Sequence, residues 1–280
     1  MGVYRDTFKS CAWYYARYRP GYPQEFFDYL KERFQLNGTG RMLDLGCGTG
    51  ELSIPLAKYF RQVIAMDPEP EMIHEAKKKS HDKGITNINW IDAGSDDLGN
   101  LKENIGELNL VTIGTAFHWM DRDATLKCLA SMISEDGAIV EVGTSGIKPT
   151  EWEKSAKAII RKWLGETRRA GSVVYEVPDE RHEVIFARSP FKQIEGYKHQ
   201  YEYGWTVNSI VGYYLSTSYC SEYVLADKKD IFEQDLRQSL YKIDPQGQFV
   251  ETRSVDAIIA LRDPEKNSYL VAAEARYRAR

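Results

Sequence analysis

The stretch RMLDLGCGTGELS, residues 41 to 53, sets Gly46, Gly48 and Gly50 at alternate positions behind an apolar run that contains one carboxylate, Asp44. A glycine turn between a first strand and a first helix lets the backbone approach a ligand closely and aims helix N-terminal N–H groups at it. The residues that follow supply the rest of such a fold. From about residue 41 to 143, RMLDL, QVIAMD, INWID, LNLVTIG and AIVEVG read as short strands rich in Val, Ile and Leu, separated by helix-like segments. That alternation predicts a mostly parallel sheet with helices on both faces, a Rossmann-like α/β architecture.

The helical segments carry their own punctuation. PEPEMIHEAKKKSHDKG opens on proline and acids, closes on lysines and a glycine, and sets Met72, Ile73 and Ala76 on one face. DRDATLKCLASM follows, with Asp121 as its N-cap. Ahead of the sheet, PQEFFDYLKERF places Phe26, Leu30 and Phe34 on one stripe that packs on the sheet. Pro55 lacks an N–H, so the helix after the glycine turn should start late or bend. Beyond residue 147 the pattern changes. EWEKSAKAIIRKWLG and DKKDIFEQDLRQSLYKI read as helices, while FKQIEGYKHQYEYGW and GQFVETRSVDAIIALRD read as extended strands in an aromatic-rich region.

The 280 residues are 42% hydrophobic and 28% charged, enough for a proper core. With no repeat or Pro/Gly linker, the expectation is one domain over 1–280. An N-terminal covering segment spans 1–36, a ligand-binding core 37–147, a cap with the sixth strand 148–240, and the last strand and tail 241–280. A net charge of -4 gives no global reason to seek a phosphate backbone, so no nucleic-acid partner is expected. No run approaches the roughly 20 apolar residues of a membrane span and the N-terminus has no apolar signal core, which suggests a cytoplasmic chain without a membrane partner. Cys11, Cys47, Cys128 and Cys220 are far apart with no CxxC pair, the pattern of buried hydrophobes rather than of disulfides or a metal site. Oligomeric state is not encoded in any of these features.

Spacing separates the ligand classes that use glycine turns. A phosphate-binding P-loop needs a Gly-Lys pair, and none occurs. A dinucleotide turn wants GxGxxG, but counting from Gly46 the third position is Glu51. The string hhDhGxGxG instead resembles the class I S-adenosylmethionine-dependent methyltransferases, and further stations appear in order. The resemblance implies S-adenosyl-L-methionine as cofactor. Asp67 in IAMDPEPEM would meet the ribose hydroxyls, flanked by Pro68 and Met72, and Asp44 would lie near the methionine amine above Gly46, Cys47, Gly48 and Gly50. At the adenine end WIDAGSDDLG departs from the family by placing Gly94 where an acid is usual. Either Ser95 and Asp96 take over that edge, or Asp92 or Asp97 does. Thr115 and Ala116 in TIGTAFHWMD would line the transfer site. YARYRPGYP and WTVNSIVGYYLSTSY resemble segments of the trans-aconitate methyltransferase-like (methyltransferase type 11) group, so Tyr15 and Arg19 would touch the cofactor.

By that resemblance the reaction is an in-line displacement on a methyl group already activated, in which the protein aligns the partners and excludes water. If the acceptor must lose a proton, His118 is the candidate base. The aromatic cap should choose a small-molecule acceptor, an oxygen first with nitrogen or carbon as alternatives. Tyr14, Trp119, Tyr203, Trp205 and Tyr214 are the candidate substrate residues. The basic region Arg161, Arg168, Arg169, Arg181 and His182 could bind a carboxylate or form a solvated face. The rival readings are a nucleic-acid methyltransferase, which would need a basic groove, and a non-methylating cyclase, isomerase or binder on the same scaffold.

Overall fold

The computed structural model describes residues 7–167, 169–171, 173–175, 179–191 and 193–262. Five parallel strands form the heart of the sheet: β1 (Arg41–Leu45), β2 (Gln62–Asp67), β3 (Ile88–Asp92), β4 (Leu108–Gly114) and β5 (Ile133–Gly146). Two long antiparallel strands, β6 (Gln193–Thr206) and β7 (Gln248–Leu261), complete the order β3-β2-β1-β4-β5-β7-β6. The order reverses at β1, which pairs with both β2 and β4. A crevice therefore opens at the carboxyl ends of these strands, where open α/β sheets take their ligands.

Successive side chains of a strand point to opposite faces, so each inner strand feeds two cores. Leu43, Leu45, Ile64, Val111 and Ile139 pack on one side with α5 (Leu98–Ile105), α6 (Arg122–Ala130) and α8 (His182–Ala187). Met42, Val63, Leu110, Val140 and Val142 pack on the other with Phe26, Phe27 and Leu30 of α2 (Gln24–Arg33). The stripe expected from Phe26, Leu30 and Phe34 is buried. The helix after the glycine turn, α3 (Ser53–Leu56), is four residues long and passes into a tighter turn at Ala57–Tyr59. Pro55 lies in its first turn, where its missing donor leaves no gap. The Asp121 side chain caps α6 by accepting from the Ala124 N–H at 3.1 Å.

Strand β5 runs well past AIVEVG because β7 pairs with it as far as Gly146 opposite Arg253. α5 and α8, unread in the sequence, are short and cover the sheet locally. Above the sheet, α7 (Glu151–Leu164), α9 (Val207–Leu215), α10 (Glu222–Leu225) and α11 (Lys229–Ile243) build a cap around Trp152, Trp205, Phe232 and Leu236. The N-terminal helix α1 (Ala12–Tyr18) bridges α4 (Pro70–Asp82) and α9. Its Tyr18 ring occupies the space that a Cβ on Gly212 would need. Among the described residues no helix is long and apolar enough to cross a membrane.

Gly212→Ala should therefore push α1 off α9. Overpacking of this kind costs about 1–3 kcal/mol, so the urea midpoint should fall and limited proteolysis should cut earlier within residues 12–18. An unchanged midpoint and cleavage pattern would show that α1 is not held through this contact.

Candidate functional site

Two joined cavities lie over the carboxyl ends of β1, β2 and β4. The larger, about 490 Å³, is lined by Phe8, Gly48, Asp67, Pro68, Met72, Gly94 to Asp97, Ala116, His118 and Trp119. The smaller, about 50 Å³, is lined by Arg19, Tyr22, Asp44, Cys47, Thr144, Tyr213 and Arg253. Tyr15, Gly46, Gly114 and Thr115 border both, so the second opens off the first. A volume of several hundred Å³ accommodates a nucleoside-sized ligand.

The glycine turn makes this space. The N–H groups of Gly46 and Cys47 both donate to the Met66 carbonyl, at 2.8 and 2.9 Å, which ties the turn to the end of β2. Gly46 has φ 72°, and a Cβ there would come within 2.5 Å of the Ala116 methyl. Only glycine meets both demands without strain. Gly50 lines neither cavity; with φ 85° it serves the turn itself. Thr115 also has positive φ, 52°. Strain of this kind in a residue other than glycine concentrates at ligand-binding positions.

Two buried carboxylates face the cavities. Asp67 accepts from the Gly48 N–H at 2.8 Å on one oxygen and from the Glu69 N–H at 3.0 Å on the other. Each oxygen keeps acceptor capacity for a further donor, the arrangement a vicinal diol would match. Asp44 accepts from the Ser53 N–H at 3.0 Å, from the Ser53 hydroxyl, and from the Thr112 hydroxyl at 2.8 Å. Burial pushes both carboxyls up to about 6 despite these donors. Burial likewise raises Glu69 to about 7. Two carboxylates held in so little water favour a ligand carrying hydroxyl donors and positive charge.

At the far end of the larger cavity, Asp97 accepts from the Gly94 N–H at 2.9 Å and so is occupied in its own turn, while Ser95 and Asp96 face the space beside it. Asp92 does not line the cavity. His118 sits in a tight turn, Phe117–Trp119, with its ring 4.8 Å from Trp119 and its edge toward Tyr175. It borders the larger cavity only.

Arg19 closes the smaller chamber. Its guanidinium lies between the rings of Tyr15 and Tyr213, at 4.7 and 5.0 Å, and donates to the Ser216 hydroxyl and carbonyl. The Tyr22 hydroxyl is bonded to Thr115, and burial holds it well above the ordinary phenol range.

Of the five residues expected to meet a substrate, Trp119 alone borders either of these two cavities. Trp205 and Tyr214 are fully buried in the cap, Tyr203 packs edge-on against Trp205, and Tyr14 donates to Glu222 at 2.8 Å on an outer groove. Strand β6 turns Tyr203 and Trp205 into the cap's core, while Tyr197 and Tyr201 pack on the sheet's α2 side, Tyr197 against Phe26 and Tyr29, so the tyrosine-rich stretch lines neither cavity. The basic region is also separate. Arg161 pairs with Glu166, Arg181 with Glu183, and His182 with Glu141 at 3.2 Å; none of these, nor Arg169, lines either cavity, and Arg168 lies outside the described residues. Tyr22 lies in YARYRPGYP without being singled out by it, and Thr144 and Arg253 carry no motif. The available signal was Arg253 itself, a charged residue at an inward position of an alternating strand.

Residues 42–137 match a methyltransferase domain family. A Dictyostelium discoideum protein assigned as a methyltransferase is 23% identical over 241 residues, 85% of this chain and 86% of that one. Among solved structures, a methyltransferase from Anaeromyxobacter dehalogenans shares the fold at a TM-score of 0.52 and 23% identity, over 86% of this chain and 96% of that chain. A Haemonchus contortus phosphoethanolamine N-methyltransferase, solved with phosphomonomethylethanolamine and S-adenosylhomocysteine, overlaps at a TM-score of 0.50 and 16% identity, over 92% of this chain and 57% of that chain. With the matched domain, the relative, the sheet order and the paired strand-end aspartates in agreement, the chain is a class I S-adenosylmethionine-dependent methyltransferase.

Proposed function

We propose that this methyltransferase acts on an oxygen of a small-molecule acceptor held in the chamber beside Gly114 and Thr115. The observation that carries the reading is the enclosure of that chamber. At about 50 Å³, between Tyr15 of α1 and Tyr213 of α9, it has room for a small group. Arg19, Tyr22, Thr144, Tyr213 and Arg253 give it guanidinium and hydroxyl walls. Such a wall offers several hydrogen-bond donors to an oxygen. The acidic net charge of -4 also favours this reading over a nucleic-acid substrate.

S-adenosylmethionine supplies a methyl group already activated by the positive sulfonium. In this reading Asp67 accepts from the ribose hydroxyls and Asp44 faces the methionine amine. Ser95 and Asp96 meet the adenine edge, and Met72, Pro68, His118 and Trp119 wall the nucleoside. Arg19, fixed by Ser216 and two tyrosine rings, lines the acceptor's chamber and does not border the larger cavity. Tyr15, between the cavities, helps exclude water where the methyl moves. His118 stands on the cofactor side, so it shapes that wall and takes no proton from the acceptor.

Three outcomes follow. His118→Ala should leave kcat at saturating cofactor and acceptor within about twofold, with the inflections of its pH profile unmoved; a hundredfold loss would return His118 to the role of base. Asp67→Ala should weaken S-adenosylhomocysteine at least about tenfold by calorimetry, the scale of lost hydrogen bonds to a charged acceptor, and unchanged affinity would remove Asp67 from the ribose. The pH dependence has a fixed sign. Carboxyls raised above their ordinary values stabilise the folded chain below about 4 and lose that contribution as pH rises through about 6. The thermal midpoint of the ligand-free protein should therefore fall between about pH 5 and pH 7.5, while the increment given by S-adenosylhomocysteine grows over the same interval. An increment that shrinks with rising pH would contradict the ionised carboxylates as the cofactor's acceptors.

A further inference from the structure

Among the polar groups of the proposed chamber that the cofactor reading leaves without a role, Arg253 carries a charge and an unmatched donor. Arg253, on β7, is 5% exposed. It donates from Nη1 to Glu251 Oε2 at 2.9 Å and from Nη2 to Thr144 Oγ1 at 3.3 Å, while its buried Nε–H has no hydrogen-bond partner among the described residues. A buried, unmatched donor costs stability unless a partner arrives, and this side chain borders the chamber beside Gly114 and Thr115.

The guanidinium is held from several sides. Glu251 is itself 4% exposed, and its Oε2 also accepts from Trp205 Nε1 at 2.8 Å. The Trp205 ring lies 5.8 Å from the guanidinium. Gly146, opposite Arg253 across the β5–β7 pair, leaves the space that the Glu251 carboxylate occupies. Thr144 completes the frame from β5. A planar donor fixed this way recognises an acceptor by direction. Its charge is already offset by Glu251, the charge of Arg19 faces that of Asp44 across the same small space, and Glu51, which also lines it, is paired with Lys79 at 2.8 Å. Direction, rather than net charge, is then what the chamber selects.

We propose that Arg253 is the acceptor-specificity residue of this site, donating to a carbonyl-type oxygen that the acceptor carries beside the atom to be methylated, with Glu251 as its positioning residue. This rests on the placing of the acceptor in the smaller chamber. It adds a requirement on the acceptor's structure: two oxygen-bearing positions close together, one reacting and one held.

The test uses the whole chain saturated with S-adenosylhomocysteine and labelled with ¹⁵N-arginine, with acetamide and acetate as probes small enough for the chamber. The Nε–H resonance of Arg253 is assigned by its loss in Arg253→Lys. Both probes should shift that resonance saturably, with dissociation constants within about threefold of each other. Arg253→Lys should still bind S-adenosylhomocysteine but lose at least about tenfold in affinity for both probes. Glu251→Gln, which removes the offsetting charge, should bind acetate at least about tenfold more tightly than acetamide. No saturable shift with either probe, binding of acetate alone to the unmodified protein, or equal probe binding in Arg253→Lys would each overturn the proposal. Failure of S-adenosylhomocysteine itself to bind is a separate outcome and would sink the cofactor reading beneath it.

Discussion

The site depends on the bond network that fastens the glycine turn to the end of β2. The Met66 carbonyl receives two N–H groups from the turn, and Asp67 receives a third from Gly48 together with one from Glu69. One strand end thus fixes the backbone of the turn and the carboxylate that faces the cavity. Because β1 and β2 are paired in register from Arg41–Gln62 to Leu45–Met66, the turn has no freedom to slide. Positive φ at Gly46, and the absence of a side chain there, then let Ala116 at the end of β4 come close. The three strand ends that border the cavities are locked to one another, which lowers the ordering cost of binding a ligand there.

The cap acts through the same logic on the opposite side. α1 is pinned by Tyr18 over Gly212, and the next residue, Arg19, is clamped by Ser216 and two tyrosine rings. Nearby, the β5–β7 pairing carries Thr144 and Arg253 to the chamber wall. Residues from the N-terminus, the middle and the last described strand therefore surround a space of about 50 Å³. Enclosure on this scale matters for transfer from a sulfonium, where water is the competing nucleophile and alignment is the main source of rate.

Local signals and long-range signals were legible to different degrees. The parallel core could be read because each inner strand is a short β-branched run bounded by turn residues, and because both faces are buried. Asp121 as a cap, Pro55 in a first turn, and the glycine turn itself are decided within a few residues of sequence, so they were visible. The cap was not. In YKHQYEYGW alternation shows which side chains share a face of β6, but only the packing of α7, α9 and α11 decides that the Tyr203 and Trp205 face is core. The same limit hid Thr144 and Arg253, which are 109 residues apart and meet only because β5 and β7 pair antiparallel. In WIDAGSDDLG the departure at Gly94 was visible, and Asp97 bonding back to Gly94 leaves Ser95 and Asp96 as the polar side chains of that turn facing the cavity without that tie.

The assignment of the two cavities to cofactor and acceptor is tested most directly by a crystal structure of the chain with S-adenosylhomocysteine. The ribose hydroxyls should lie on Asp67, the adenine beside Ser95 and Asp96, and the sulfur at the opening between Gly46 and Thr115, facing the chamber that Arg253 lines. Density that placed the ribose away from Asp67, or turned the sulfur from that opening, would contradict it.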